Sequence, residues 1–170
     1  CKLVKPFGTK HCSMTDKCVA RFDHYCPWMG NAIGKRNHRD FVIFLILETV
    51  AMAIAFAVAV TRYNEESPTE RDSSRFGVVI FAILDVFTLL PVAMLCVSQL
   101  FQVAQNITIN EISNAHRYAY LQASDGAFVN PFDKGYVENL REFFTARADA
   151  PLIDVIAEPL LGNRRGDDAV

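Results

Sequence analysis

"FVIFLILETVAMAIAFAVAV", residues 41–60, is a run of twenty residues with a single charge, Glu48. At ~1.5 Å of rise per residue it is long enough as a helix to cross the hydrocarbon core of a bilayer. It has no polar stripe of the kind a water-facing helix carries. A second run, "FGVVIFAILDVFTLLPVAMLCVSQLFQV" (76–103), is longer and again holds one charge, Asp85. Two buried helices of a soluble domain would read the same way, but so short a chain leaves too little sequence to cover both. Pro91 should kink the second helix rather than end it.

Charge distribution orients the pair. The chain is slightly acidic, with a net charge of -2, so nothing global points to nucleic acid. Residues 1–40 nevertheless carry eight Lys or Arg, and six more follow the second run. The intervening "TRYNEESPTERDSSR" has three Arg against four acids. An excess of Lys and Arg marks the cytosolic side. Both flanks are therefore expected in the cytosol, with 61–75 as a lumenal loop. The chain has no initiating Met, which suggests an internal piece of a longer protein. Glu48 and Asp85 lie at different depths, so they suit helix–helix hydrogen bonds better than a shared ion site or a transporter.

Beyond 103, "AQNITINEISNAHRYAYLQAS" could prolong the second helix, and "NPFDKG" should break it. Tyr136, Leu140, Phe143 and Phe144 recur at helical spacing and predict a short amphipathic helix, packed on the domain rather than on the membrane.

The basic N-terminal region is rich in soft ligands. Cys1, His11, Cys12, Cys18, His24 and Cys26 crowd into one small segment, which favours metal or catalysis over disulfides. One tetrahedral zinc needs four donors; Cys1, His11 and Cys18 lie at reachable spacing to supply three, with Cys12 or a residue upstream as the fourth. The fold class expected is mostly α. It is a polytopic membrane protein fragment with two transmembrane helices and a small zinc-stabilised cysteine-rich cytosolic domain. Its divisions are 1–40 (cysteine-rich), 41–60 (span), 61–75 (lumenal loop), 76–103 (span), 104–150 (cytosolic segment with TINE and NPFDKG) and 151–170 (flexible tail).

"KHCSMTDKCVARFDHYCPWMGNAIGKRNHRDF" (10–41) resembles the cysteine-rich domain of DHHC-type protein S-acyltransferases, the palmitoyltransferases. The matching residues are His11, Cys12, Cys18, Asp23, His24, Cys26, Pro27, Trp28, Asn31, Gly34, Asn37 and Phe41. "TINE" (108–111) is similar to the family's Thr-Thr-x-Glu, and "NPFDKGYVEN" (130–139) to its C-terminal Asn-Pro-aromatic-Asp-x-Gly motif.

The resemblance implies a membrane-bound enzyme that moves a long-chain acyl group from acyl-CoA, such as palmitoyl-CoA, to cysteines of cytosolic-face proteins. Cys26 would be the nucleophile, His24 its base and Asp23 the orienting acid. A thiol of pKa ~8.5 is mostly protonated at neutral pH, which is why a base is needed. Trp28 suits the membrane interface, and Lys35, Arg36 and Arg39 could meet the phosphates of coenzyme A or anionic lipid. Thr108, Glu111 and Asn139 would brace the site, although the family's second Thr is Ile109 here and its hydroxyl is lost. A Golgi or ER membrane is expected, with two further spans upstream, and ankyrin repeats there are suggested by fungal members with Asp-His-Tyr-Cys.

The resemblance also implies two zincs. The first would take Cys1, His11, Cys18 and a cysteine upstream. The second would take Cys12 and positions 15, 25 and 32, which here are Thr15, Tyr25 and Ala32. One zinc site is therefore expected, the second being replaced by packing. Tyr25 then occupies a vacated ligand position, and the catalytic residues beside it are intact. An impaired, zinc-stabilised membrane adaptor is the competing reading.

Overall fold

The computed structural model describes residues 8–65 and 71–145, with side chains left aside at 71–74. The described residues up to Phe41 pack with those from Phe101 onward into one compact unit, and Val42–Leu100 forms another.

The second unit is built on two helices. α1 (His38–Glu65) contains the first apolar run, and α2 (Arg71–Ala104) the second. Helix therefore continues through 61–65 and 71–75, inside the stretch expected as a loop. α2 also continues through Pro91. Both helices turn large apolar side chains outward: Leu47, Ile54, Phe87, Met94 and Val97 are all more than half exposed. A soluble domain would bury these residues, and lipid would not need to, so their exposure among the described residues favours a pair of membrane-spanning helices. Hydroxyls within the runs bond to their own helix: Thr49 donates to the Leu45 carbonyl at 2.7 Å and Thr88 to that of Leu84 at 3.1 Å.

The first unit starts with two short antiparallel hairpins. β1 (Lys10–Cys12) pairs with β2 (Lys17–Val19), placing His11 directly across from Cys18. β3 (His24–Cys26) pairs with β4 (Asn31–Ile33), placing Tyr25 across from Ala32. The second hairpin turns over Pro27–Gly30, where the Gly30 amide donates to the Pro27 carbonyl at 3.1 Å and Gly30 has φ 58°.

α2 ends at Ala104 and does not run on through the following stretch, although its sequence tolerates helix. Asn106 adopts φ 52°, its amide bonds back to Val103 and the Ile107 amide to Gln102, so the helix ends in a Schellman motif. Two further asparagines close the last carbonyls: Asn139 donates to Ala104 at 2.8 Å and Asn130 to Gln105 at 2.6 Å. A five-residue helix α3 (Ile109–Ser113), two 3-10 turns and α4 (Tyr136–Thr145) complete the unit. α4 packs as its periodicity suggested, with the Phe143 ring edge-on to buried His38 at 5.1 Å.

Candidate functional site

Strand alternation sorts the Asp-His-Tyr-Cys stretch. Along β3, His24 and Cys26 are two residues apart and share one face, and Tyr25 lies on the other. Cys26 is a free thiol, 5% exposed. On the opposite face Tyr25 and Val19 pack against a buried cluster of Cys12, Phe22 and Ala32. Tyr25 is thus directed away from the face that carries His24 and Cys26.

Asp23 precedes the strand and is 1% exposed. Its Oδ2 lies 2.7 Å from His24 Nδ1, and its Oδ1 accepts the Ile109 amide at 2.8 Å. With Nδ1 donating to the carboxylate, the imidazole presents Nε2 as its basic nitrogen. The ring also rests edge-on against Phe41, at 5.3 Å between centroids. Carboxylate, amide and aromatic ring together restrain the imidazole.

The TINE segment holds the carboxylate from behind. Thr108 caps α3 in a full capping box: its hydroxyl accepts the Glu111 amide, and Glu111 Oε2 accepts the Thr108 amide at 2.9 Å. Tyr120 donates to the other oxygen of Glu111 at 3.0 Å. Burial, followed by the charge of Glu111, pushes the Tyr120 phenol well above its usual pKa, so it remains a donor. Thr108 and Glu111 are 1% and 5% exposed, so this bracing is internal.

Asn139 is also buried, and it joins the NPFDKG stretch to the end of α2. It donates to Ala104 and to Asp133 and accepts the Lys134 amide at 3.0 Å. Sequence reasoning missed four members of this scaffold: Arg21, Asn106, Tyr120 and the Ile109 amide. Arg21 donates to the Asn106 side chain, which donates in turn to the Phe132 carbonyl at 2.7 Å. Positive φ at Arg21 and Asn106 accompanies these contacts, but neither residue type announces it.

The expected metal ligands divide into two cases. His11 and Cys18 face each other across β1 and β2, so an imidazole and a sulfur project from the same side, a suitable pair for zinc. Cys1 lies outside the described residues. Among the described residues no group of three or more His, Cys, Asp or Glu is placed to hold a metal. At the second position the donors do not fit. Cys12, Tyr25 and Ala32 converge in an apolar cluster, and the Thr15 hydroxyl lies beside the Cys12 thiol and helps hold it below its ordinary pKa. A thiol, a hydroxyl, a phenol and a methyl group do not make a four-coordinate zinc site.

The residues expected to meet acyl-CoA lie on nearby connections. Trp28 sits on the β3–β4 turn and is 95% exposed, with half-exposed Met29 beside it. Lys35 and Arg36 join β4 to α1, and Arg39 is in the first turn of α1, next to Asp40.

Comparison with known proteins follows the same residues. The sequence model of a family described as DHHC palmitoyltransferase matches residues 1–116. Palmitoyltransferase ZDHHC17 of Danio rerio is 32% identical over 160 residues, covering 86% of this chain and 26% of that protein. Palmitoyltransferase ZDHHC12 of Homo sapiens is 37% identical over 146 residues, covering 85% of this chain and 53% of the relative. Palmitoyltransferase AKR1 of Yarrowia lipolytica is 35% identical over 130 residues, 76% of this chain and 18% of its own. The chain spans about a quarter of ZDHHC17 and about half of ZDHHC12.

Proposed function

The chain belongs to the DHHC palmitoyltransferase family, and from that premise we propose that its protein is a membrane-bound S-acyltransferase working through a Cys26 thioester. The observation that carries the reading is the 2.7 Å contact of Asp23 with His24, whose ring shares a strand face with Cys26.

The Cys26 sulfur attacks the thioester carbonyl of a long-chain acyl-CoA such as palmitoyl-CoA, giving up its proton to His24 Nε2. The new carbon–sulfur bond forms as the bond to coenzyme A breaks, and the departing thiolate takes that proton. In the second half a cysteine of a cytosolic-face protein gives its proton to His24 and attacks the acyl-enzyme. Cys26 leaves as thiolate and is reprotonated. Buried Asp23 remains ionised throughout and stabilises the imidazolium formed twice per cycle.

Lys35, Arg36 and Arg39 would take the phosphates of coenzyme A, and Trp28 would lie at the membrane interface near the thioester. Zinc would be held at one site, by His11, Cys18 and Cys1 with a donor from upstream. Its contribution there is structural, fixing the first hairpin. The second site is replaced by the apolar cluster under Tyr25. Basic flanks favour a cytosolic catalytic region, and a Golgi or ER membrane is the proposed location.

The test is to incubate the full-length protein with labelled palmitoyl-CoA. A hydroxylamine-sensitive label that disappears in Cys26→Ser is expected. An unlabelled wild-type protein that is folded and zinc-loaded would overturn the reading.

A further inference from the structure

We propose that Arg21 and Asn106 are a positioning pair, whose contact seats the Ile109 amide on Asp23 and so fixes the carboxylate that orients His24. The inference deepens the acyl-transfer reading and rests on it for its purpose. Among the described residues three non-glycine residues have a left-handed backbone: Asp16, Arg21 and Asn106. Such a backbone is uncommon away from glycine and persists where the surrounding structure enforces it. Two of the three hold each other, the Arg21 guanidinium donating to the Asn106 side chain.

Both partners are rooted in fixed backbone. On one side, the Ala20 carbonyl accepts the Lys35 amide at 2.9 Å and the Asp23 amide donates to the Ile33 carbonyl at 2.9 Å. Arg21 stands between these two bonds. On the other side, Asn106 closes the Schellman motif of α2 and donates to the Phe132 carbonyl at 2.7 Å. Their contact joins the two segments two residues before Asp23 and three before Ile109, whose amide donates to Asp23 Oδ1 at 2.8 Å. The two bonds close a ring of chain that holds only residues 21–23 and 106–109. A closed loop this short has few conformations, so the first bond confines where the amide can lie for the second. A guanidinium suits the task, because its planar fork is pre-organised and loses little freedom per bond.

Without the contact, α3 keeps its capping box but loses the tie that precedes it. The Lys10 ammonium still holds the Asn110 side chain at 2.8 Å, one residue past Ile109, so α3 loosens without detaching. Asp23 Oδ1 then meets the amide for less of the time, and the imidazole that Asp23 orients is less firmly held. The effect falls on the rate of acyl-enzyme formation and not on the binding of acyl-CoA, since neither residue is among those expected to meet coenzyme A.

The test uses full-length, zinc-loaded protein and single-turnover labelling over a series of palmitoyl-CoA concentrations. Asn106→Gly removes the side chain and suits the left-handed backbone, and Arg21→Met removes the donor but keeps the length. Each is expected to slow acyl-enzyme formation about three- to tenfold at saturating palmitoyl-CoA, with the half-saturating concentration within about twofold of wild type. The double variant should be no slower than the slower single one, since both remove one bond. Asn106→Asp keeps an acceptor for Arg21 and loses the donor to Phe132; it should stay within about twofold of wild type. An Asn106→Gly rate equal to wild type overturns the proposal, as do single variants whose effects multiply or an Asp variant as slow as Gly. Should one single variant unfold, the other is compared with Asn106→Asp. Hydrogen exchange at the Ile109 amide is the second measurement and needs no activity. Exchange faster than wild type in Asn106→Gly but not in Asn106→Asp supports the pair, and any other pattern overturns it. A wild-type protein that takes no label removes the acyl-transfer reading, and the exchange result alone then upholds or overturns the seating of the amide.

Discussion

The amide of Ile109 donates to Asp23 Oδ1 at 2.8 Å, across 86 positions of sequence. Ile109 stands where the family pattern has a threonine, and the lost hydroxyl suggested weaker support for Asp23. A backbone donor at the first residue of α3 provides support that survives any substitution at 109 except proline. The capping box of Thr108 and Glu111 aims that amide, so the motif acts through its backbone.

Proline isolates this bond. Residue 109 is the first helical position, where proline is well tolerated, and Thr108 already has the extended backbone that a following proline requires. Ile109→Pro should therefore fold and bind zinc as wild type does while losing only the amide. A hydrogen bond to a charged group is worth about 1.5–3 kcal/mol, so acyl-enzyme formation should slow about tenfold to hundredfold. Ile109→Thr keeps the amide and should remain near wild type. Single-turnover labelling with palmitoyl-CoA measures both.

Tyr120→Phe removes the donor to Glu111 Oε1 and leaves a buried carboxylate oxygen short of a partner. The expected cost is about 1–3 kcal/mol of stability, read as a lower melting temperature of the full-length protein. Glu111→Gln in the Tyr120→Phe background should cost less than it does alone, because the two residues share one bond.

The parts of this protein that the sequence makes readable are those whose cause is local. Lipid-facing helices announce themselves by composition, because every residue of a span answers to the same solvent. α4 is readable because Tyr136, Leu140 and Phe143 keep one spacing. The hairpins are not, since three-residue strands are too short for alternation to register, and only the paired structure shows that Tyr25 faces away from Cys26. α2 seemed able to run on past 104 because its following residues tolerate helix; Asn106 ends it by adopting a left-handed backbone that its identity permits but does not require. Arg21 and Asn106 are 85 positions apart, and nothing in either segment names the other.

Gly34 tests how tightly the second hairpin is seated. A Cβ at this position would lie 2.5 Å from Val19 Cγ1 and 2.8 Å from the Ala20 carbonyl. The carbonyl is itself fixed by the Lys35 amide at 2.9 Å, so it cannot withdraw without breaking that bond. Gly34→Ala should cost about 1–3 kcal/mol. Limited proteolysis and thermal melting should both report the loss, even with the Asp23, His24 and Cys26 side chains unchanged.

Metal content tests the opposite face of β3. Cys12, Phe22 and Ala32 are each less than 10% exposed and pack with Tyr25, so this part of the fold is held by burial where a metal would otherwise be needed. Elemental analysis of the full-length protein should return one zinc per chain, and two would overturn the packing account. Restoring donors should reverse the situation: Thr15→Cys, Tyr25→His and Ala32→Cys together with native Cys12 give three thiolates and an imidazole, a complete tetrahedral set. The triple variant is expected to bind a second zinc. The single variant Ala32→Asp, which offers one donor and buries a charge in the cluster, should gain no metal and lose about 3 kcal/mol or more of stability. Because Tyr25 and Cys26 lie on opposite faces of one strand, Tyr25→Phe should leave palmitoyl-CoA labelling of Cys26 within about twofold of wild type.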